Sequence, residues 1–401
     1  YMTQEYQTSM ELALKDQILL AGSIKYAYNQ LKIKLTQTTY KSVGRVVSIY
    51  NTVLAKSSNE YNPIADTTGD VTGDTTGDTT GDDLIGDDTL VVDADDVSVI
   101  TDIHSWDYEL IPVADDFMRL LPSNHLVMPS NTMEQFIPPI DRRITNINEL
   151  VARFPETEFY LYYVETDHDI DFIHYENTHQ IINYMMDHIN TSVKVAVQWV
   201  TTFESYTDTF YKTDHHWNEN GQMIGYQNIV TLLGEVPDPN VSIKILENAL
   251  YVGSRAKQID DYTVVDDFGI LFNDTLKYTV EVNGVEAVVN QKPWYNQGFY
   301  STEIGVNHYA VCFGYDKGLI GYNFDQEEKD NLLVFAASFS NPINELIASH
   351  FNHTYVVDLR HYEKDMGTVF DMDSFIKEHD IDKVLYTGYY AFYAGEKFLI
   401  N

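Results

Sequence analysis

From residue 144 to the C-terminus, apolar runs of strand length alternate with stretches of helical periodicity, and this alternation constrains the fold more than any other feature. Residues 144–154 carry apolar side chains at helical spacing. Residues 158–164 (Glu-Phe-Tyr-Leu-Tyr-Tyr-Val) form a strongly apolar strand, 179–189 read as helix, and 193–199 as a second strand. A helix follows over 218–233, with Asn218 as N-cap, Met223, Tyr226, Val230 and Leu233 on one face, and Gly234 at its end. The alternation returns with a strand at 332–335, a helix at 342–350, a strand at 354–359, a helix at 372–379 and a strand at 383–386. Such a pattern predicts right-handed βαβ units, hence an α/β domain with a mostly parallel sheet. Residues 240–330 break it. There, Tyr251-Val252-Gly253-Ser254 and the strand-like run 278–289 predict an antiparallel excursion or lid.

The first third of the chain differs. Leu20, Ile24, Tyr28, Leu31 and Leu35 fall at helical spacing and predict a long amphipathic helix within 10–35. Residues 65–83 repeat Thr-Gly-Asp, with Gly69, Gly73, Gly77 and Gly81 four apart and each followed by Asp. This segment has no apolar face to bury, so it reads as a flexible acidic linker or surface insertion. Aspartate oxygens suit calcium, but the spacing fits neither an EF-hand loop nor the nonapeptide repeat. Three regions are therefore expected: 1–59 helical, 60–118 an acidic low-complexity insertion, and 119–401 the α/β domain. Deleting 65–83 is expected to leave the melting temperature unchanged, with or without calcium. A calcium-dependent rise that vanishes with the deletion would contradict this.

Charge narrows the partners. The 401 residues carry a net charge of −36; 17 of the acidic residues lie between Glu60 and Asp116, which leaves −19 for the rest. A phosphate backbone would be repelled, which excludes nucleic acid as a partner class. The single Cys312 excludes an intrachain disulfide. No apolar run reaches membrane-spanning length. The chain opens on Tyr1, as a mature form or a fragment cut after an anchor would.

Two stretches carry chemistry. In Tyr211-Lys212-Thr213-Asp214-His215-His216-Trp217, an Asp two residues ahead of a His can meet its imidazole in a turn and take the Nδ1 proton. That is the orienting half of a Ser–His–Asp triad. Short Asp–His pairs also occur in plain hydrated turns, and Asp167-His168-Asp169 is a decoy of this kind. The adjacent histidines lack a carboxylate at metal-ligand spacing with helical support, so no metal and no cofactor are expected. In the second stretch, 332–342 (Leu-Leu-Val-Phe-Ala-Ala-Ser-Phe-Ser-Asn-Pro), a buried strand runs into a small-residue turn. Ser338 there lies at a strand's C-terminal end, where open α/β sheets place ligands. Neighbouring amides suit an oxyanion, although a capping serine explains the same pattern. Asn341 and Pro342 fit N-cap and N1 of the next helix.

The stretch 211–217 resembles the signature of the bacterial DHHW family, relatives of the alginate O-acetyltransferases with SGNH-hydrolase-like catalytic domains. Residues 331–362 resemble the family's nucleophile block and the strand after it, which ends in Asp358-Leu359-Arg360-His361-Tyr362. They depart from it where Ala336-Ala337 replaces the family's Gly-Asp. The Asp-x-His pair precedes the serine by 122 residues, the order of the alginate-acetyltransferase-like branch; ordinary SGNH hydrolases carry the serine first. The resemblance covers most of 119–401 and has no counterpart for 60–118.

This resemblance implies an SGNH-hydrolase-like α/β/α sandwich. It further implies a helix holding Lys15-Asp16-Gln17 after a membrane anchor, and an extracytoplasmic place at the bacterial cell surface. Ser338 would attack an acetyl donor, His216 would take its proton, and Asp214 would orient His216. A polysaccharide hydroxyl would then resolve the acetyl-serine, with a membrane-bound O-acyltransferase as the acetyl source. Trp217 would wall the histidine, stack on a sugar or sit in the core. Arg360 would contact an anion or form a surface ion pair, and Asn341 would donate to the oxyanion or cap the helix. Two other functions fit the same residues: a carbohydrate acetyl esterase with water as acceptor, and an inactive glycan-binding relative, to which Ala336-Ala337 points.

Overall fold

The computed structural model describes residues 103–114, 116–175, 179–246, 249–287 and 306–400. All belong to one compact unit spanning 88–401. The expected amphipathic helix and the Thr-Gly-Asp repeat lie outside these residues. Among the described residues, no helix is long and apolar enough to cross a membrane.

The fold starts earlier than acidity suggested. Strands β1 (Glu109–Ala114), β2 (Phe117–Leu121) and β3 (His125–Val127) form an antiparallel sheet, so a boundary at 118 cuts the β1–β2 hairpin. Most of β1 is exposed, and composition alone does not separate such a strand from a solvated acidic segment.

An eight-stranded sheet organises the rest. Its strands are β4 (Glu158–Val164), β5 (Lys194–Gln198), β8 (Thr279–Val282), β9 (Val285–Ala287), β10 (Leu319–Asn323), β11 (Leu332–Ala336), β12 (His353–Val357) and β13 (Lys383–Gly388). The order is β5-β4-β13-β11-β12-β10-β8-β9. The first five of these run parallel, while β10, β8 and β9 add antiparallel at one side. Three strands from the irregular stretch 240–330 therefore extend the sheet. A separate antiparallel pair, β6 (Ser242–Ile245) and β7 (Gly269–Phe272), completes the excursion.

Alternation along β4 shows why its sequence is apolar throughout. Phe159, Leu161 and Tyr163 face one core, with the helices Met133–Arg153 and Gln180–His188. Tyr160, Tyr162 and Val164 face the other, beneath the helix Glu219–Leu232. A parallel strand covered on both faces has no polar side to show. The architecture is the expected α/β/α sandwich.

Three local differences have physical causes. The helix Met133–Arg153 begins well before residue 144 and runs through Pro138 and Pro139. The prolines deny hydrogen bonds to the carbonyls of Glu134 and Gln135, both exposed, where water can take the bond. The helix after Ser338 begins only at Asn344, because Ser338–Ser340 first forms a 3-10 turn that Asn341 closes. Finally, 358–362 does not end a strand. β12 stops at Val357 and Asp358 caps the helix Leu359–Met366, accepting from Arg360 N at 3.0 Å.

Candidate active site

The loop 211–217 is shaped by residues distant in sequence. Phe210 and Trp217 pair across its base, and Tyr211 N donates to His216 O at 3.2 Å. Asp266 clamps it by accepting from Lys212 N (2.8 Å), Thr213 N (3.0 Å) and Thr213 Oγ1 (2.5 Å). Burial nevertheless pushes the Asp266 carboxyl up to about 6. Thr213 Oγ1 in turn accepts from Gly253 N at 2.9 Å.

Asp214 is buried and fully engaged. Its Oδ1 accepts from His216 N (3.0 Å) and lies 2.6 Å from His216 Nδ1; its Oδ2 accepts from Ser254 N at 2.5 Å. Burial works against the charge, but the imidazoles of His216 and His215 and the Ser254 amide outweigh it. They hold the carboxyl well below the ordinary carboxylate range. Gly253 makes this approach possible, because a Cβ there would sit 2.2 Å from Asp214 Cβ. Gly253→Ala is therefore expected to displace Asp214. A shift of this kind near the reacting groups should slow acylation of Ser338 by about 10²-fold, read from the release of 4-nitrophenolate from its acetyl ester. An unchanged rate would show that the loop relaxes around the methyl group.

Ser338 lies where β11 ends, with its Oγ 2.9 Å from His216 Nε2. The structure thus brings Asp214, His216 and Ser338 into one continuous hydrogen-bonded chain. Tyr309, from the helix His308–Phe313, stacks on the His216 ring with centroids 4.0 Å apart and donates its hydroxyl to Ser338 O at 2.8 Å. Phe339 packs against the same imidazole at 5.0 Å. The first amide to donate within the 3-10 turn is Ser340 N, to Ala337 O at 3.2 Å. The amides of Ser338 and Phe339 precede it, as the unspent N–H groups of a helix start do. Ala336 and Ala337 are buried in the two cores that flank the sheet. The departure from Gly-Asp is thus a packing feature, and an Asp at 337 would place a carboxylate among apolar side chains.

The remaining sequence candidates fall differently. Trp217 is 0% exposed and cannot stack on a sugar; its ring fills the space over Gly225, where a Cβ would lie 2.4 Å away. It is a core residue. Arg360 does not line the cavity at Ser338. Its guanidinium pairs with Asp358 (2.6 Å) and Asp316 (2.7 Å), so the ion pair replaces the expected anion contact. Asn341 does line the cavity but does not N-cap the next helix, whose N-cap is Ile343. Asn341 Nδ2 donates to Asp316 Oδ1 at 3.0 Å. His215 sits at the rim, 2.8 Å from Ser254 Oγ, and burial with the neighbouring His216 lowers its pKa.

The cavity before Ser338 holds about 320 Å³ and is lined by His216, Tyr309, Lys257, Asn307, Asp316 and Asn341, among others. Among the described residues, two clusters of carboxylate and imidazole groups lie close enough to suggest cation binding, Asp214 with His215 and His216, and Asp316 with Asp358 and His361. In the first, both Asp214 oxygens are already spent on His216 and Ser254. In the second, Asp316 and Asp358 hold the Arg360 guanidinium, which a metal would have to displace.

Fold and site define an α/β protein with a serine at a strand end and a histidine–aspartate pair supplied by a separate loop. No family model matches the chain, and no curated protein matches it in sequence. Solved structures do. PatB1 from Bacillus cereus, in a structure with a sulfonyl adduct, is 18% identical with a TM-score of 0.57, over 74% of this chain and 100% of that one. A second PatB1 structure is 20% identical with a TM-score of 0.56, over the same shares. A DHHW family protein from Eubacterium siraeum is 16% identical with a TM-score of 0.55, over 72% of this chain and 95% of that one. In fold, the chain is DHHW-like, as its motif suggested.

Proposed function

We propose that the protein is an extracytoplasmic O-acetyltransferase acting on a cell-surface or secreted polysaccharide through an acetyl-serine intermediate. One observation carries the reading: the chain Asp214–His216–Ser338, 2.6 and 2.9 Å long in its two links, opens into a cavity. His216 Nε2 takes the Ser338 proton as Oγ bonds to the donor's acetyl carbon. The donor's C–O bond then breaks, and its oxygen leaves with that proton. A sugar hydroxyl next attacks the acetyl carbon, giving its proton to His216, which returns it to Ser338 as the Oγ–C bond breaks. Asp214 holds the tautomer and supports the imidazolium. The donor side is assigned to a membrane-bound O-acyltransferase. PatB1, whose fold this chain shares, carries a sulfonyl adduct in one structure, and a sulfonyl sulfur is an electrophile that an activated nucleophile attacks.

The tetrahedral intermediate needs donors. The Ser338 and Phe339 amides supply two. Asn341 Nδ2 supplies a third, since one of its hydrogens goes to Asp316 and the other remains for the cavity. Asp316 is thus a positioning residue, itself held by Arg360. Asp316→Ala is expected to lower kcat for Ser338 acylation by up to about 10²-fold, the cost of one lost oxyanion donor, with KM unchanged. A change confined to KM would assign Asp316 to substrate binding instead.

The reading is tested by incubating the protein with 4-nitrophenyl acetate, with and without a polysaccharide acceptor. Acetyl should appear on Ser338 and then on sugar. Acetate alone, at an unchanged rate when acceptor is added, would make the protein an esterase.

A further inference from the structure

Ser338 is not the only feature at the C-terminal edge of the sheet. β11, β13 and β4 are parallel neighbours in that order, so the segments that follow them emerge side by side. After β11 come Ser338 and Phe339; after β13, Tyr389 and Tyr390; after β4, the loop with His168. Their rings form a connected row. Phe339 stacks on Tyr389 at 4.5 Å, His168 lies 5.8 Å from Tyr389, and Tyr390 lies 5.4 Å from His168. The row leads away from His216 across two strand spacings, roughly 10 Å.

At its far end is a cavity of about 250 Å³ lined by Ser130, Asn131, His168, Asp171 and Gln180, among others, with Phe136 and Ile181 as apolar wall. Its polar groups are incompletely used within the fold. Asn131 Nδ2 meets His168 Nδ1 at 3.1 Å, which leaves Asn131 Oδ1 and His168 Nε2 without a bond among the described residues. The side chains of Ser130 and Gln180 likewise make none there. Donors and acceptors are mixed, the carboxylates are Asp169 and Asp171, and no Lys or Arg lines the cavity.

We propose that this cavity is a second saccharide subsite, holding a neutral hexose of the acceptor glycan while a nearby sugar of the same chain reaches Ser338. The inference rests on the glycan-acceptor reading above. Mixed amide, hydroxyl and imidazole groups over an apolar wall match the hydroxyls and apolar face of a neutral pyranose. Asp171, with no Lys or Arg lining the cavity, disfavours a uronate. Half-buried Tyr389 and Tyr390 bridge the two sites with surface on which a sugar ring can stack.

The test is saturation-transfer NMR on the Ser338→Ala protein with three neutral hexasaccharides: β-1,4-glucan, β-1,3-glucan and chitin-type. At least one should bind, and Asn131→Ala and Tyr390→Ala should each weaken binding by about tenfold or more while the melting temperature holds. Asn131 lies in a loop, so its variant tests the site even where Tyr390→Ala unfolds the protein. Binding by none of the three, or binding indifferent to Asn131→Ala, overturns the proposal. The unmodified protein is assayed beside it for nitrophenolate release, so a failure of the chemistry is separable from a failure of the subsite.

Discussion

His216→Ala is expected to slow acylation of Ser338 by an activated acetyl ester about 10²- to 10⁴-fold, the span of positioned general-base catalysis. His216 Nε2 is 2.9 Å from Ser338 Oγ, and Tyr309, which stacks on His216, donates its hydroxyl to the Ser338 carbonyl. Among the described residues, no second base is hydrogen-bonded to Ser338 Oγ. KM for the ester should change little, since the cavity walls remain. Asp214→Asn should fall in the same range, because an amide at Oδ1 would no longer fix the Nδ1 proton. The double variant should be no slower than the worse single one, since the residues act as a unit. Additive losses would mean that Asp214 and His216 act independently.

Arg255→Ala is expected to destabilise the fold by about 3–5 kcal/mol. Arg255 is 5% exposed and Asp167 1% exposed; Nη2 meets Asp167 Oδ1 at 2.7 Å while Nη1 donates to Leu126 O at 2.7 Å. Burial would raise the Asp167 carboxyl, yet Arg255 and then His168 hold it below the ordinary value. A depressed carboxyl contributes stability above its unfolded value of 3.8, lost as pH falls through the lower folded value. Without Arg255, an unpaired carboxylate stays buried, so urea unfolding should show a larger loss at pH 7 than at pH 4. Arg255→Met with Asp167→Leu should recover much of it. A loss under about 1 kcal/mol would mean that water reaches the pair. Arg255 follows Ser254, whose amide holds Asp214, so the ion pair also anchors the site.

Asp167 shows how far a sequence can be read here. Asp167-His168 and Asp214-His215-His216 look alike locally. Their partners separate them: the distant Arg255 takes the first aspartate, while the neighbouring His216 and the distant Ser254 take the second. Strands β4, β11 and β13 were legible because both faces are buried and each carries an unbroken apolar run, 159–164, 332–336 and 384–386. The helix Met133–Arg153 was half legible, since Pro138 and Pro139 look like a stop unless their side of the helix is known to face water. Tyr309, Ser254, Asp266 and Asp316 were not legible. Each comes from the excursion between β6 and β10, where no hydrophobic period places a residue in space. Tyr251-Val252-Gly253-Ser254 was the one trace, and its Gly is what lets the backbone approach Asp214. Trp217 had three open readings, and its complete burial selects the core one.

Ser338 is proposed here as the nucleophile of a working triad. Intact-mass spectrometry after treatment with an aryl sulfonyl fluoride, followed by peptide mapping, tests it most directly. The triad predicts one adduct per chain, on Ser338, absent in Ser338→Ala and formed at least about 10²-fold more slowly in His216→Ala. An unmodified protein, or an adduct carried by Tyr309 or another hydroxyl while Ser338 stays free, would contradict it.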